Sequence, residues 1–434
     1  MDSVRTLIVG AGVSGLATAA ALTEAGDNDY LVLEADSAIG GYCKTVKEKG
    51  FTWDYSGHFF HFKHADIEAW MRARMPGQRI RLVEKRAFIA YKGRQIDFPF
   101  QKNIHQLEQS EFIDCIHDLY FAQAPRELLR TEAKPESAPS NFKEMLYARL
   151  GRSITEKFLV PYNEKVYATD LASLDEHAMG RFFPHADLTE IMRNLKAPDN
   201  ASYNSTFIYP EGGAIEFINA LFSATRLGGI ALNEPLIGVD LEHRVARTNS
   251  REIRFERLVS SAPFNRLLRL ARLPNDARTW SWNKVLVFNF GFDRKGPRDV
   301  HWIYYPDPAC VFYRIGFYDN IFDTDRLSTY VEIGLRSDTN VDAEFLRQTR
   351  KRVLDDMRRQ GVIDEHQLLA EHCVVMDPAY VHLTRASISE HARLSAILRE
   401  HGVYSIGRYG GWTYCSIEDN IVEARRLVES GFGA

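Results

Sequence analysis

The chain has 434 residues, of which 45% are hydrophobic and 26% charged, as is typical of a globular enzyme with two or three packed lobes. Its formal net charge of −4 at pH 7 excludes a general attraction to nucleic acid or anionic lipid, and no apolar stretch is long enough to span a membrane. The five cysteines are widely separated and lack metal-ligand spacing, so the sequence predicts no metal site and a reduced, cytoplasmic setting.

A glycine-rich turn follows the first predicted strand, Leu7–Val9, and opens an alanine-rich helix. Gly10 permits a tight turn, Gly12 leaves room for a pyrophosphate, and Gly15 lets the helix pack closely on the strand. Phosphates bound there would lie on the helix N-terminus, where free N–H groups favour anions. The turn therefore predicts a Rossmann-type dinucleotide-binding domain.

A second block of residues favours FAD over NAD. The next predicted strand, Tyr30–Leu33, ends at Glu34, where a carboxylate can accept hydrogen bonds from an adenosine ribose. Gly40 and Gly41 follow, and paired glycines let a further backbone segment approach the cofactor. Lys44 can neutralise a phosphate. The block resembles the GG motif of the amine-oxidase-like flavoproteins.

Helical periodicity dominates the segment from about 65 to 200. Asn141 and Glu144 match a helix N-cap, and Ser153 with Glu156 matches a second one, whose helix would end or kink at Pro161. Other predicted helices are Ala65–Met75, Glu108–Ala124, Asp342–Arg359 and Asn420–Ser430, and β-rich blocks lie at 228–262, 280–335 and 403–408.

This order of elements predicts an α/β fold in which a Rossmann-type FAD-binding domain is interleaved with a helical domain and an antiparallel β-sheet substrate domain. The predicted bounds are 1–64, 205–265 and 400–434 for the FAD-binding domain, 65–204 for a mostly helical substrate or lid domain, and 266–399 for the β-sheet-rich substrate domain.

The rest of the chain carries motifs rich in aromatic residues and arginine. They are Asp54–His58, Phe98–Asn103, Phe158–Tyr167, Asn204–Phe207, Trp302–Pro306, Phe312–Arg314, Tyr380 and Gly407–Tyr414. In this order they resemble the motifs of the UDP-galactopyranose mutase family, particularly its eukaryotic-type members and their bacterial relatives. Taken singly, most of these side chains would more often be structural, and their common order is what indicates a site.

The resemblance implies roles for individual residues. It places His58 against the flavin ring, Arg314 at the diphosphate and Arg408 between the flavin and the sugar. These three are the predicted catalytic residues, and both arginines are expected to stabilise the departing diphosphate. The predicted FAD-binding residues are Gly10, Gly12, Ser14, Gly15, Glu34, Gly41, Lys44, Gly57, Leu236, Gly407 and Ser416. The predicted substrate-binding residues are Gln101, Phe158, Tyr162, Asn163, Tyr167, Arg181, Asn204, Tyr304, Arg314, Tyr380, Arg408 and Tyr414.

These residue types suit the chemistry. A diphosphate beside a flavin needs charge compensation, and the planar fork of arginine binds two oxygens at once. Tyrosine hydroxyls add hydrogen-bond donors on a rigid side chain, and an aromatic face can stack on a base.

Four positions depart from the family pattern. Ser56 replaces a glycine, Tyr167 replaces a tryptophan, and the asparagine expected four residues after Tyr414 is missing. Arg181 is only an approximate counterpart of the family's mobile arginine. Because these positions surround the nucleotide and the sugar, the identities of base and sugar stay open.

The resemblance implies interconversion of the pyranose and furanose forms of a nucleotide-activated sugar, most simply UDP-galactose, for cell-surface polysaccharide synthesis. N5 of reduced FAD would attack the anomeric carbon as UDP leaves, with NADPH or NADH as candidate reductants. One alternative is an FAD-dependent oxidase or desaturase of the amine-oxidase superfamily, and another is a catalytically altered flavin-binding relative. The expected partner is the nucleotide-sugar substrate, and a homo-oligomer is compatible with the sequence.

Overall fold

A computed structural model of the chain describes residues 2–123, 139–184, 187–197 and 205–432. Its strands, β1 to β18 in chain order, are Asp2–Val9, Tyr30–Leu33, Thr45–Glu48, Phe51–Asp54, Ile80–Glu84, Ala87–Tyr91, Arg94–Asp97, Thr206–Pro210, Ile230–Ala231, Leu236–Asp240, Val245–Thr248, Glu252–Ser260, Trp282–Phe292, Trp302–Tyr304, Arg314–Phe317, Ser328–Arg336, Leu368–Val381 and Val403–Ser405.

The α-helices of the same residues, α1 to α13, are Val13–Glu24, Ala65–Ala73, Gln109–Gln123, Phe142–Ile154, Val160–Tyr167, Leu188–Lys196, Ile215–Ser223, Phe264–Leu270, Asp319–Phe322, Ala343–Arg359, Arg385–Glu400, Gly407–Gly410 and Ile417–Glu429. A π-helical turn lies at Thr155–Leu159, and 3-10 turns lie at Phe100–Lys102, Ile104–Gln106, Leu171–Ser173, Gly180–Phe182 and Ala277–Thr279. None of these helices is both long and apolar enough to cross a membrane.

The first sheet has a parallel core in which β12, β1, β2 and β9 are neighbours. Strand β18 pairs in parallel with the end of β12, and β11 and β10 continue the sheet in antiparallel fashion. Both faces are covered, because Ile8 packs with residues of α1, α7 and α13, and Leu7 packs with residues of α8 and α11. Three separated parts of the chain thus build one sheet, which confirms the predicted interleaved α/β fold.

The second sheet has the order β17, β13, β16, β15, β14, β6 and β7 and is antiparallel except for the β14–β6 pair. Residues of β13 alternate between two apolar layers. Val285 and Val287 face the helical segment that contains α3 to α5, and Leu286 and Phe288 face α10. The site lies between this sheet, the helical segment and the first sheet.

Residues 80–97 form three strands that the sequence analysis did not predict. Strands β6 and β7 extend the second sheet, and β5 pairs with β8. The missed signal is the Lys92–Gly93 turn, whose φ values of 46° and 77° suit a two-residue hairpin. The described part of the segment 65–204 is therefore helical with a strand insertion, and its division from 205–265 as a domain stays a prediction.

Two predicted helix starts can be compared directly with the structure. Asn141 caps α4 as expected, its side chain accepting from the N–H of Glu144 at 2.9 Å. Helix α13 begins at Ile417, three residues before the predicted Asn420, because the hydroxyl of Ser416 accepts from the N–H of Asp419 and caps it. Strand β18 ends at Ser405 rather than at 408, since Gly407 opens the short helix α12.

A helical segment that carries Phe158 begins close to Ser153, as predicted, but the predicted cap is wrong. Gly151, with a φ of 71°, breaks the helix two residues earlier, and the Ser153 hydroxyl donates to Asp118 at 2.6 Å instead of capping a helix. The chain continues through the π-helical turn into α5, and Pro161 lies in the first turn of α5, where it ends no helix.

Candidate active site

Three adjoining cavities run between the two sheets. The FAD cleft, of about 390 Å³, opens at the carboxyl ends of β1 and β2. Of the predicted FAD-binding residues, those that line it are Gly10, Gly12, Ser14, Glu34, Gly41 and Leu236. The second, which we name the central cavity, has a volume of about 170 Å³ and lies among Gly57, Trp302 and Tyr330. It shares His58, Arg408, Cys415 and Ile417 with the FAD cleft.

The glycines of the FAD cleft leave two backbone segments bare. A Cβ on Gly12 would lie 3.8 Å from the Cα of Gly41, so the two face each other across a narrow gap. Gly15 does not line the cleft, and a Cβ there would lie 1.8 Å from the carbonyl oxygen of Gly10. Gly12 and Gly41 therefore make room for a ligand, whereas Gly15 serves the packing of helix on strand.

Two charged residues predicted to contact FAD differ in position. The Glu34 carboxylate lines the cleft and accepts from the N–H groups of Ala11 at 2.7 Å and Asp36 at 2.9 Å. The Lys44 ammonium is bonded to Asp36, lowering the pKa of that carboxyl group, and Lys44 does not line the cleft. The phosphate role of Lys44 stays a prediction.

The aromatic pocket, of about 100 Å³, adjoins the central cavity through Phe182, Arg314, Tyr380 and Tyr414. The structure brings seven predicted substrate-binding aromatic and amide residues together here: Phe158, Tyr162, Asn163, Tyr167, Tyr304, Tyr380 and Tyr414. Four further aromatic residues that were not predicted as site residues also line the pocket: Phe98, Phe182, Phe183 and Tyr313.

Helical spacing explains how one segment fills the aromatic pocket. Phe158 and Tyr162 are four residues apart, and their rings stack with centroids 5.1 Å apart. Asn163 and Tyr167 repeat this spacing, and the Nδ2 of Asn163 donates to the carbonyl oxygen of Leu159 at 2.7 Å. The Oδ1 of Asn163 is not used in this bond and can accept from a ligand.

Arg314 forms a bidentate ion pair that the sequence analysis missed. It lies opposite Glu332 in the β15–β16 register, with Nε and Nη2 at 2.6 and 2.8 Å from the carboxylate oxygens. The hydroxyl of Ser56 donates to the same carboxylate. A single carboxylate between Val331 and Ile333 in an apolar strand was the available signal, because a buried charge needs a partner.

Burial and pairing act in opposite directions on this pair. Burial opposes ionisation of both groups, but the Arg314 guanidinium holds the pKa of Glu332 below its usual value. The Glu332 carboxylate in turn raises the pKa of Arg314. Arg314 is thus a permanent cation whose charge is already partly neutralised.

Arg408 has a different environment. It lines both the FAD cleft and the central cavity, and its Nη2 donates to the carbonyl oxygen of Cys415 at 2.5 Å. The Tyr414 ring centroid lies 5.0 Å from its guanidinium carbon. Among the described residues no carboxylate lies within ion-pair distance of Arg408. Its charge is therefore available to an anionic ligand.

His58 lies where the FAD cleft and the central cavity meet. Burial lowers the pKa of His58 to about 4, and the charge of Arg408 acts in the same direction. Its Nδ1 is buried and has no hydrogen-bond partner among the described residues. The ring is therefore neutral at pH 7 and offers one nitrogen to a ligand.

Two predicted substrate residues, Gln101 and Arg181, do not line these cavities. Gln101 is buried, with its amide Nε2 bonded to the carbonyl oxygen of Pro184. Arg181 is bonded to Asp419, its Nη2 lying 2.5 and 2.6 Å from the two carboxylate oxygens. Asn204 lies outside the described residues. The substrate roles of these three stay predictions.

The remaining predicted FAD residues lie at the border of the site. Gly57 and Ser416 line the central cavity. Gly407, with a φ of 80°, donates its N–H to Glu423 at 2.8 Å, and a Cβ there would lie 2.3 Å from the hydroxyl oxygen of Ser14. The absence of a side chain at Gly407 thus allows this segment to lie close to Ser14 in α1, beside the FAD cleft. No cluster of metal-ligating side chains is present in the described part of the chain.

The chain is similar in sequence and in fold to known flavoproteins. The family model of flavin containing amine oxidoreductases matches residues 13–362. A crystal structure of reduced UDP-galactopyranose mutase superposes with a TM-score of 0.89, covering 99% of this chain and 96% of that chain at 22% identity, which establishes a common fold.

Two curated proteins match over shorter segments. The inactive all-trans-retinol 13,14-reductase of Danio rerio is 45% identical over 53 residues, 12% of this chain and 9% of that protein. Protoporphyrinogen oxidase 2 of Arabidopsis thaliana is 25% identical over 184 residues, 42% of this chain and 35% of that protein. The chain thus spans about a tenth of the first relative and about a third of the second.

Proposed function

Since the chain belongs to the flavin-containing amine oxidoreductase family, we propose that it uses FAD as a nucleotide-sugar mutase, interconverting pyranose and furanose forms of UDP-galactose or a related sugar. The observation that carries the proposal is the placement of Arg314 and Arg408 between a flavin-type cleft and an aromatic pocket. An anionic diphosphate fits this position.

The residues around the FAD cleft fit the cofactor. Gly12 and Gly41 lack the side chains that would fill the space for a pyrophosphate, and Gly12 directly precedes helix α1. Glu34 has carboxylate lone pairs left for ribose hydroxyls. When bound in reduced form, the cofactor supplies a nucleophilic nitrogen for the anomeric carbon of the sugar.

The chain's own residues would position and stabilise the substrate. The aromatic pocket would hold the base, and Arg314 and Arg408 would hold the diphosphate both as it leaves and as it returns. Neutral His58 would orient the sugar through Nδ1 without adding a further cation.

The two arginines also bear on the oxidase alternative. A cationic amine substrate would be repelled by Arg408, whose charge no carboxylate among the described residues balances. The match to a protoporphyrinogen oxidase keeps oxidation of an uncharged or anionic molecule as the competing outcome.

Cofactor identity can be tested with Gly12→Val. Because a Cβ at Gly12 meets nothing closer than 3.8 Å and its φ is −83°, the protein should fold normally. The new side chain would occupy pyrophosphate space, so we expect the purified variant to be colourless with a wild-type circular dichroism spectrum. Wild-type protein should release FAD on heating, and release of FMN or NAD would refute the cofactor assignment.

Catalysis can be tested under anaerobic conditions with dithionite-reduced enzyme and UDP-galactofuranose. The mutase proposal expects many substrate molecules converted per flavin without stoichiometric consumption of reductant. Activity that requires oxygen and releases one peroxide per turnover would refute it in favour of an oxidase.

A further inference from the structure

We propose that the Tyr330 hydroxyl is a substrate contact that binds a hydroxyl group of the sugar in the central cavity. Tyr330 lies on β16 two residues before Glu332, so both side chains emerge on the same face of the sheet. Tyr330 lines the central cavity and is fully buried, and its hydroxyl has no hydrogen-bond partner among the described residues. The assignment rests on the proposed function.

The backbone around Tyr330 leaves room for its phenol ring. Gly316 lies opposite Tyr330 in the β15–β16 register, and a Cβ there would lie 1.9 Å from the Cε1 of Tyr330. On the other side, a Cβ on Gly57 would lie 2.4 Å from the Tyr330 hydroxyl oxygen. Two close backbone approaches therefore fix where the hydroxyl lies, and one of them belongs to the loop that carries His58.

Two residues that line this cavity each carry a buried polar atom without a partner among the described residues, the Tyr330 hydroxyl and the Nδ1 of His58. A buried hydroxyl or imidazole nitrogen without a partner is costly, and a ligand that supplies hydrogen bonds removes that cost. A hydrocarbon would leave both atoms unsatisfied. The cavity wall therefore matches a ring that carries several hydroxyl groups.

The position of Tyr330 relative to the two cavities indicates which part of the substrate it would contact. Arg314, Tyr380 and Tyr414 line both the central cavity and the aromatic pocket, whereas Tyr330 lines only the central cavity. A diphosphate held at the shared residues would leave the base in the aromatic pocket and the sugar in the central cavity beside Tyr330. The Tyr330 hydroxyl should thus contribute to the affinity for UDP-galactose and not to the affinity for UDP.

The test is Tyr330→Phe, which keeps the ring and removes the hydroxyl. Dissociation constants for UDP-galactopyranose and UDP are measured on the reduced holoenzyme by flavin fluorescence. Loss of one hydrogen bond should raise the constant for UDP-galactopyranose roughly three- to tenfold, with the constant for UDP unchanged. Unchanged affinity for both ligands, equal loss for both, or loss of FAD from the variant would overturn the assignment.

Tyr318→Phe is the matched control. The Tyr318 ring centroid lies 5.2 Å from that of Tyr330, but its hydroxyl donates to the carbonyl oxygen of Ser56 at 3.2 Å and lines none of the three cavities. Selective loss of UDP-galactopyranose binding in Tyr318→Phe would attribute the effect to packing and overturn the assignment.

Measurements on the wild-type protein distinguish failure of the Tyr330 assignment from failure of the proposed function. If wild type binds neither ligand and forms no furanose product, the proposed function and the Tyr330 assignment both fail. If wild type binds and converts the sugar while Tyr330→Phe equals it, only the Tyr330 assignment fails.

Discussion

The two arginines of the site carry their charges in different ways. The Arg314 guanidinium is paired with Glu332, a carboxylate that is 1% exposed, whereas the Arg408 guanidinium donates to the backbone carbonyl of Cys415. A buried ion pair contributes little net stability, but removing one partner leaves the other charge buried and unpaired. A change at Arg314 should therefore lower the stability of the protein as well as alter the site.

Arg314→Ala should lower the free energy of unfolding by about 3–5 kcal/mol, because Glu332 loses its partner. The double variant Arg314→Ala with Glu332→Gln should be more stable than the single variant, since no buried charge remains. Urea denaturation of the holoenzymes measures both. The exposed pair Arg336–Asp338 is the control, and Arg336→Ala should remain close to wild type. A double variant less stable than Arg314→Ala would contradict the argument.

His58 should make the stability of the protein depend on pH. Its pKa is about 4 in the folded protein against an ordinary value of 6.5, so the unfolded chain takes up the proton first as the pH falls. The contribution of His58 is fully present above pH 6.5 and is lost as the pH falls toward 4.

Between pH 7 and 4, His58→Gln should lose less of its free energy of unfolding than wild type, by on the order of 2–3 kcal/mol. Chemical denaturation at several pH values measures the difference. The pKa values of His61 and His301 are lowered in the same direction, but both residues are present in the two proteins and their contributions cancel in the comparison. Parallel pH profiles would show that the His58 ring is not desolvated.

At the scale of elements, the break at Gly151 determines how α5 meets the site. With a φ of 71°, Gly151 turns the chain where it passes α3, and the π-helical turn then carries Phe158 toward the aromatic pocket. A Cβ on Gly151 would lie 2.6 Å from the carbonyl carbon of Asp118. The turn thus depends on both the conformation and the small volume of glycine.

Gly151→Ala should lower the free energy of unfolding by on the order of 2–4 kcal/mol, from backbone strain and overpacking together. The matched control is Gly77→Ala, with a φ of 81° but nothing within 4 Å of a new Cβ, which should cost roughly 1–2 kcal/mol. Thermal unfolding of both variants measures the difference. Equal costs would mean that the Asp118 backbone moves freely.

The sequence predicted those elements whose signals are local. The Gly10–Gly15 turn, strand β2 and the Asn141 cap each depend on adjacent residues, and the structure places each as expected. Glu332 in its apolar strand indicated that a buried charge needs a partner, but Arg314 could not be predicted as that partner, because the register of two different strands brings them together. The Ser153 cap was wrong because a tertiary contact with Asp118 took its hydroxyl.

For the molecule as a whole, the FAD cleft depends on contact between distant parts of the chain. The hydroxyl of Ser14, in the first turn of α1, donates to the Oδ1 of Asn420 in α13 at 2.9 Å. Gly407 lies against this hydrogen bond, since a Cβ added at residue 407 would be 2.3 Å from the Ser14 hydroxyl oxygen and 3.0 Å from the Oδ1 of Asn420. The two helices can approach only if residue 407 has no side chain.

Gly407→Ala should therefore weaken FAD binding by forcing α13 away from α1 beside the cleft. Flavin retained after extensive dilution, followed by its fluorescence, measures the change, which we expect to exceed tenfold in the dissociation constant, or about 1.4 kcal/mol. Gly431→Ala is the control, with a φ of 61° and no neighbour within 4 Å, and it should retain FAD. Retention of FAD by both variants would contradict this role for the junction.

The split construction of the first sheet also sets an order for biosynthesis. Strand β18 and helix α13 leave the ribosome long after β1 and α1, yet they complete the same sheet and the same cleft. Until they emerge, the nascent chain exposes the apolar surface that Ile421 and Ala424 later cover, which is a natural target for a chaperone. The complete cleft is therefore available to the flavin only after α13 has emerged.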